Sequence, residues 1–326
     1  MDQVLSKPCS TSVLYIIIFI FNLSNVVSAA TFTLINKCNY VVWPGILANA
    51  GTTKLDSTGF QLTPGGSRTF QAPPGWSGRF WGRTDCTFDA NTGQGSCKTG
   101  DCGSNQVECN GAGANPPATL AEFTIGSDSG PSTQDFYDVS LVDGYNLPMI
   151  IEASGGSGAC GSTGCITDLN RMCPTELRDG DGQACKSACE AFGSPEYCCS
   201  GAYGSPDTCK PSVYSQMFKS ACPRSYSYAY DDATSTFTCT GADYIITFCP
   251  SSPSRKSSKD SSTMPMNTGT TSTGSGSNSG TQENPGSSWF PDFSIGDSSR
   301  INSNLAMQFT LFTSLISFFL VIISIS

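Results

Sequence analysis

The chain contains no histidine. That absence removes Ser-His-Asp and Cys-His nucleophilic catalysis, together with the commonest metal ligand. Bond-breaking chemistry, if there is any, falls to carboxylates. Three of them stand out: Glu122 in a strand-like run between Leu120 and Phe123, and Asp138 and Asp143 in the stretch from Asp135 to Gly144. Groups of this kind serve sugars in two ways. They accept hydrogen bonds from hydroxyls while neighbouring rings, here Phe136 and Tyr137, stack on sugar faces. Alternatively, two of them, one with a raised pKa, cleave a glycosidic bond as acid and base or nucleophile. Crowded like charges raise one pKa, and a nearby Arg opposes the shift. The competing explanation for each acid is an ordinary turn cap or ion pair.

Charge narrows the partners. Against 17 Lys+Arg stand 26 Asp+Glu, a net of −9, and all of the excess lies between Thr31 and Cys249. An acidic globular part repels nucleic acid and anionic membrane surfaces, and it admits a neutral polymer such as a glycan. Charged residues make up only 13% of the chain beside 34 glycines, which fits a loop-rich secreted protein better than a cytosolic enzyme.

The elements that must hold these acids are short. Thr31–Ile35, Tyr40–Trp43, Ser67–Phe70 and Gly78–Trp81 read as strands, with turn signals at Pro44-Gly45, Pro64-Gly65-Gly66 and Pro73-Pro74-Gly75. Further strand-like runs fall at Ala118–Ile125, Asp135–Leu141, Met149–Ala153, Thr236–Thr240 and Tyr244–Phe248. Many short strands at this spacing predict an all-β sandwich. Cys160–Cys222 differs: it is dense in cysteine and poor in aliphatics, so it reads as a disulfide-stapled excursion. Two short helices are expected in it, at Ala184–Phe192 and Ser212–Ser220, the second with Val213, Met217 and Ser220 on one face.

The ends are of another kind. Residues 1–29 read as a secretory signal, with Lys7, an apolar core from Val13 to Leu23 and a small-residue cleavage site at Val27–Ala30. Its removal takes Cys9 and leaves 16 of the 17 cysteines, an even set for full pairing in an oxidising compartment. Residues 251–297 are a linker rich in Ser, Thr, Gly and Pro, suited to O-glycosylation. Residues 298–326 end in an apolar tail without Lys or Arg after Arg300, the pattern of a GPI-attachment signal, with Ser298 as attachment residue and Asp297 as its rival. The globular domain is therefore 30–250, held at the outer face of the plasma membrane.

Gly93–Cys109 carries Cys97, Cys102 and Cys109 among glycines, with almost no large apolar side chain. Cross-links must shape it, and its cysteine spacings fit a zinc knuckle poorly. Together with Pro116–Phe123, this run resembles the signature of the thaumatin-like proteins; Asn105 stands where relatives commonly have Gly. Tyr197-Cys198-Cys199, Met217-Phe218-Lys219, Ala221-Cys222-Pro223 and Phe237-Thr238-Cys239 extend the resemblance over Thr31–Pro250.

The resemblance implies a β-sandwich core with a disulfide-rich loop and short-helix domain and a small stapled loop domain. It also implies the pairs Cys38–Cys249, Cys86–Cys97, Cys102–Cys109, Cys160–Cys239, Cys165–Cys222, Cys173–Cys185, Cys189–Cys198 and Cys199–Cys209. The antifungal relatives carry an acidic cleft, which maps onto Arg79, Glu122, Asp138, Asp143 and Asp231, with Asp232 the alternative for the last. No metal or other cofactor is implied. Three functions follow as expectations: a wall-associated defence protein binding β-1,3-glucan or a related polysaccharide, a weak endo-β-1,3-glucanase using Glu122 and Asp138, or a protein-interaction or enzyme-inhibitor module.

Overall fold

The computed structural model describes residues 29–127, 130 and 132–250. The expected secretory signal up to residue 28, the expected linker, and the tail with the expected attachment residue Ser298 lie outside the described residues. The strands are β1 (Ala30–Asn36), β2 (Trp43–Ala48), β3 (Ser67–Ala72), β4 (Ser77–Phe88), β5 (Gly95–Thr99) and β6 (Leu120–Thr124). After them come β7 (Asp135–Ser140), β8 (Met149–Ser157), β9 (Thr163–Cys165), β10 (Arg178–Asp179), β11 (Ala184–Cys185) and β12 (Phe237–Phe248). Among the described residues no helix is long and apolar enough to cross a membrane.

One layer runs β2-β4-β6-β7 and the other β3-β1-β12-β8-β9. β12 belongs to both. Its residues Phe237–Cys239 pair with β7, and from Thr240 onward it pairs with β8, with β1 parallel on its other side. Gly241 at this changeover has φ +65°, a conformation that glycine adopts without steric penalty. The layers meet through rings. Phe32 of β1 lies 4.9 Å from Phe80 of β4 and 4.7 Å from Phe123 of β6, and Tyr244 of β12 lies 5.1 Å from Phe123. The alternating burial of β1 follows from period-2 side-chain direction, with Ala30, Phe32 and Leu34 inward.

Eight disulfides tie the loops: Cys38–Cys249, Cys86–Cys97, Cys102–Cys109, Cys160–Cys239, Cys165–Cys222, Cys173–Cys185, Cys189–Cys198 and Cys199–Cys209. Four of the nine buried residues in the small core under the excursion are half-cystines: Cys165, Cys173, Cys185 and Cys222 pack with Leu141, Tyr145, Leu169, Leu177 and Phe218. Disulfides here stand in for the aliphatic area that the segment lacks. A third cluster sets Trp81 and Leu120 against the Cys102–Cys109 loop.

Four short helices, α1 (Ala188–Phe192), α2 (Pro195–Cys198), α3 (Val213–Ala221) and α4 (Asp232–Ser235), lie in and after the excursion. Several local expectations change. Pro44-Gly45 is not a turn but the middle of β2, where proline is tolerated because the strand is an edge. Thr236–Thr240 and Tyr244–Phe248 are one strand. The first expected helix starts only at Ala188, because Ala184-Cys185 pairs as β11. In α3, Ser212 caps the N-terminus by accepting from Ser215 N–H, and the buried positions are Ser215 and Phe218. Val213 is 73% exposed, so it does not share an inward face with Met217.

Candidate functional site: an acidic row across three strands

β4, β6 and β7 are adjacent and antiparallel, and their register aligns Arg79 with Glu122 and Glu122 with Asp138. Residues directly opposite on neighbouring strands point to the same side, with Cβ atoms about 4.5–5.5 Å apart. Phe80, Phe123, Tyr137 and Val139, the sequence neighbours of the three, are buried in the sandwich core. Arg79, Glu122 and Asp138 therefore form a single row on the outer face. One step along each strand, the same face is covered at Trp81 and Leu120 by the stapled loop. At Ser140 the segment just after the excursion joins it, through the bridge of Ser140 to Tyr226.

The electrostatics of the row are uneven. Arg79 Nε stands 3.7 Å from Glu122 Oε1, and the Glu122 side chain is a quarter exposed. Asp138 is 2% exposed, and its buried Oδ1 has no hydrogen-bond partner among the described residues. Burial first, then the charges of Glu122 and Asp232, hold the Asp138 pKa well above the usual carboxylate range, against the pull of Arg79. Burial also raises Glu122; Arg79 opposes that shift and Asp143 adds to it. Asp143 is raised by burial and restrained by Arg79. The arrangement thus holds a carboxyl biased towards the protonated, hydrogen-bond-donating form beside a carboxylate paired with a guanidinium. Among the described residues no group of three or more Asp, Glu, Cys or His is disposed to hold a metal ion.

The fifth residue of the set, Asp231, differs from the first four. Asp231 turns towards α3: its Oδ2 lies 3.0 Å from Lys219 Nζ and accepts from the backbone N–H and the hydroxyl of Ser227. It is Asp232, the alternative, whose charge acts on Asp138, and its Oδ1 accepts from the Tyr226 hydroxyl at 2.9 Å. Tyr226 is a neighbour that sequence reasoning missed, since one tyrosine in Ser225–Tyr230 carries no distinguishing local signal. Of the two expected stacking rings, only Phe136 shares the outer face, being paired to Thr124 and two residues from Asp138. Tyr137 is 2% exposed and donates to Gly161 O at 2.6 Å, so it cannot stack on a ligand.

A sandwich whose outer face bears an acidic row, walled by eight disulfides, defines a class. Residues 36–250 match the thaumatin family, and the chain belongs to it. It is 73% identical over 229 residues, 69% of this chain and 87% of the relative, to thaumatin-like protein 1 of Arabidopsis thaliana. It is 61% identical to pathogenesis-related thaumatin-like protein 3.5 of Cryptomeria japonica, over 69% of this chain and 91% of that one. With pathogenesis-related protein 5 of Arabidopsis thaliana it shares 57% identity, over 73% of this chain and 98% of that one.

Proposed function

We propose that this member of the thaumatin family is a wall-associated defence protein that binds β-1,3-glucan, or a related neutral polysaccharide, on the row of Arg79, Glu122 and Asp138. One observation carries the reading. The buried Asp138 Oδ1 has no partner among the described residues, on the same face as a charged pair and a half-buried ring. An unsatisfied buried oxygen costs free energy unless a ligand completes it, and a sugar hydroxyl is a donor of the right kind. Asp143 borders the row, and Asp232 closes it through Tyr226. A GPI anchor at Ser298, argued from the tail's sequence, holds the domain outside the plasma membrane. Laminarin binding by the secreted protein, measured calorimetrically, should fall at least tenfold in Asp138→Asn. Equal binding by the variant overturns the assignment. Release from membranes by a phosphatidylinositol-specific phospholipase tests the anchor.

Weak endo-β-1,3-glucanase activity is the second reading, and the unequal carboxyls favour it. A raised Asp138 is the candidate acid, and Glu122 beside Arg79 the candidate base or nucleophile. Release of reducing ends from laminarin, abolished in Glu122→Gln, is the outcome it requires. Binding without turnover leaves a lectin-like function only.

A further inference from the structure

A cavity of about 50 Å³ lies between the excursion, the turn after β7 and the loop after Tyr226, and its lining is separate from the acidic row. The first turn of α3 forms one side of it, with α2 and the loop after Tyr226 on the others. Cys189–Cys198 and Cys199–Cys209 cross-link its walls, so the hollow is preformed. Its lining mixes tyrosine rings with hydroxyls: Tyr197, Tyr214 and Tyr228 beside Ser212 and Ser227. The Tyr197 and Tyr214 rings meet edge to face at 6.1 Å, and the Tyr214 hydroxyl is fixed on Glu176 at 3.1 Å. Among the described residues the Tyr197 and Tyr228 hydroxyls have no hydrogen-bond partner. The two charged residues in the wall, Glu196 and Lys210, are of opposite sign, so nothing in it selects an ionic ligand.

Chain connectivity keeps the cavity within reach of the row. Val142, in its wall, lies in the turn just after β7, four residues beyond Asp138 and so at most about 13 Å from it at an extended chain's rise of about 3.3 Å per residue. Tyr228, in the same wall, lies in the field of Asp231 and Asp232, and Asp232 acts in turn on Asp138.

We propose that this cavity is a sugar subsite, taking the edge of one further ring of a neutral oligosaccharide whose other units lie on Glu122 and Asp138. The proposal rests on the glycan reading of the row. The volume admits about four water-sized spheres, enough for the hydroxymethyl edge of one sugar ring and too little for an acyl chain. Tyrosine rings with polar tips at Tyr197 and Tyr228 match a surface that is apolar on its faces and polar at its rim, while the Ser212 and Ser227 hydroxyls are engaged by Ser215 and Asp231. Site length then sets which chain lengths bind best.

The test is calorimetric titration of the secreted protein with β-1,3-linked gluco-oligosaccharides of increasing length. The wild type should show a step of about three- to tenfold in affinity at the length that first reaches the cavity, the value of one ring contact. Tyr228→Ala should lose the step and keep the affinity for shorter chains, which also reports that the variant is folded; Tyr228→Phe should keep most of it. A step that survives in Tyr228→Ala, or a wild type that binds short chains without any step, overturns the subsite and leaves the acidic row standing. A wild type that binds no oligosaccharide of any length overturns the glycan reading and the subsite together.

Discussion

Asp138→Asn should make the protein more stable at neutral pH while removing its ligand. The side chain is 2% exposed, Oδ1 is unpartnered among the described residues, and the folded state holds its pKa well above the ordinary value of 3.8. The sign follows from linkage. A carboxyl with a raised folded pKa binds its proton more tightly in the native than in the unfolded protein. Its contribution is therefore harmless below the unfolded value, and stability is lost as pH rises from there to the folded pKa. Within that window one such group changes the unfolding free energy by up to about 1.4 kcal/mol per pH unit. For a domain of this size that corresponds to about 3–6 °C in Tm per pH unit. Asparagine does not titrate, so the wild-type and variant curves should converge near pH 3 and separate above pH 4, the variant lying higher at pH 7. Thermal unfolding of both proteins with disulfides intact, followed from pH 3 to 8, reads the difference directly. Parallel curves, or a variant less stable at pH 7, would refute the claim that burial of this charge is uncompensated. Greater stability bought with lost laminarin binding would place Asp138 among residues kept for function at the expense of the fold.

Glu108 is the opposite case. Its carboxylate accepts from Ser57 Oγ at 2.8 Å, Thr58 N–H and Oγ1 at 2.6 Å each, and Gly59 N–H at 2.9 Å, clamping the stapled loop to the segment before β3. Burial pushes its pKa up, but these bonds outweigh that and hold it below the usual value of 4.5. Its stabilisation is thus present above the unfolded pKa and is lost as pH falls through the folded one. Glu108→Ala should cost about 2–4 kcal/mol in denaturant melts at pH 7, discounted for its partial exposure, and much less at pH 3; an equal loss at both pH values contradicts the clamp. Gly45→Ala should destabilise by about 1–3 kcal/mol, because a Cβ there would sit 2.3 Å from two ring atoms of Trp81, which is fully buried. Unchanged stability on urea unfolding would show that Trp81 can move aside.

How much of this was legible in the residues alone depends on the range over which each signal acts. Period-2 alternation is local, so β1, β3, β6 and β7 could be read to within a residue or two of their ends. Cysteine count and compartment are global, so complete pairing could be expected, while the choice of partners needed the family resemblance. Pro44-Gly45 failed because its structure is set from afar. Whether a proline breaks a strand depends on whether that strand is an edge, and Gly45 is required by Trp81, which belongs to β4. The continuity of β12 was hidden for a similar reason. Gly241 reads as a break between two runs, yet in the fold it marks where one strand passes between layers. The choice between Asp231 and Asp232 was beyond local reading altogether. Adjacent aspartates have the same chemistry, and what separates them is Lys219 on α3 claiming the first while Tyr226, bridged to Ser140 of β7, holds the second. The row itself was legible as residue types and not as a row. Glu122 and Asp138 are brought opposite each other by the β6–β7 register, and that register is fixed because a one-residue slip would expose Phe123 and Tyr137. The apolar alternation that builds the sandwich therefore also aligns its acids, and a charge at position 138 is tolerated because the core residues on either side of it leave the strand no other way to pair.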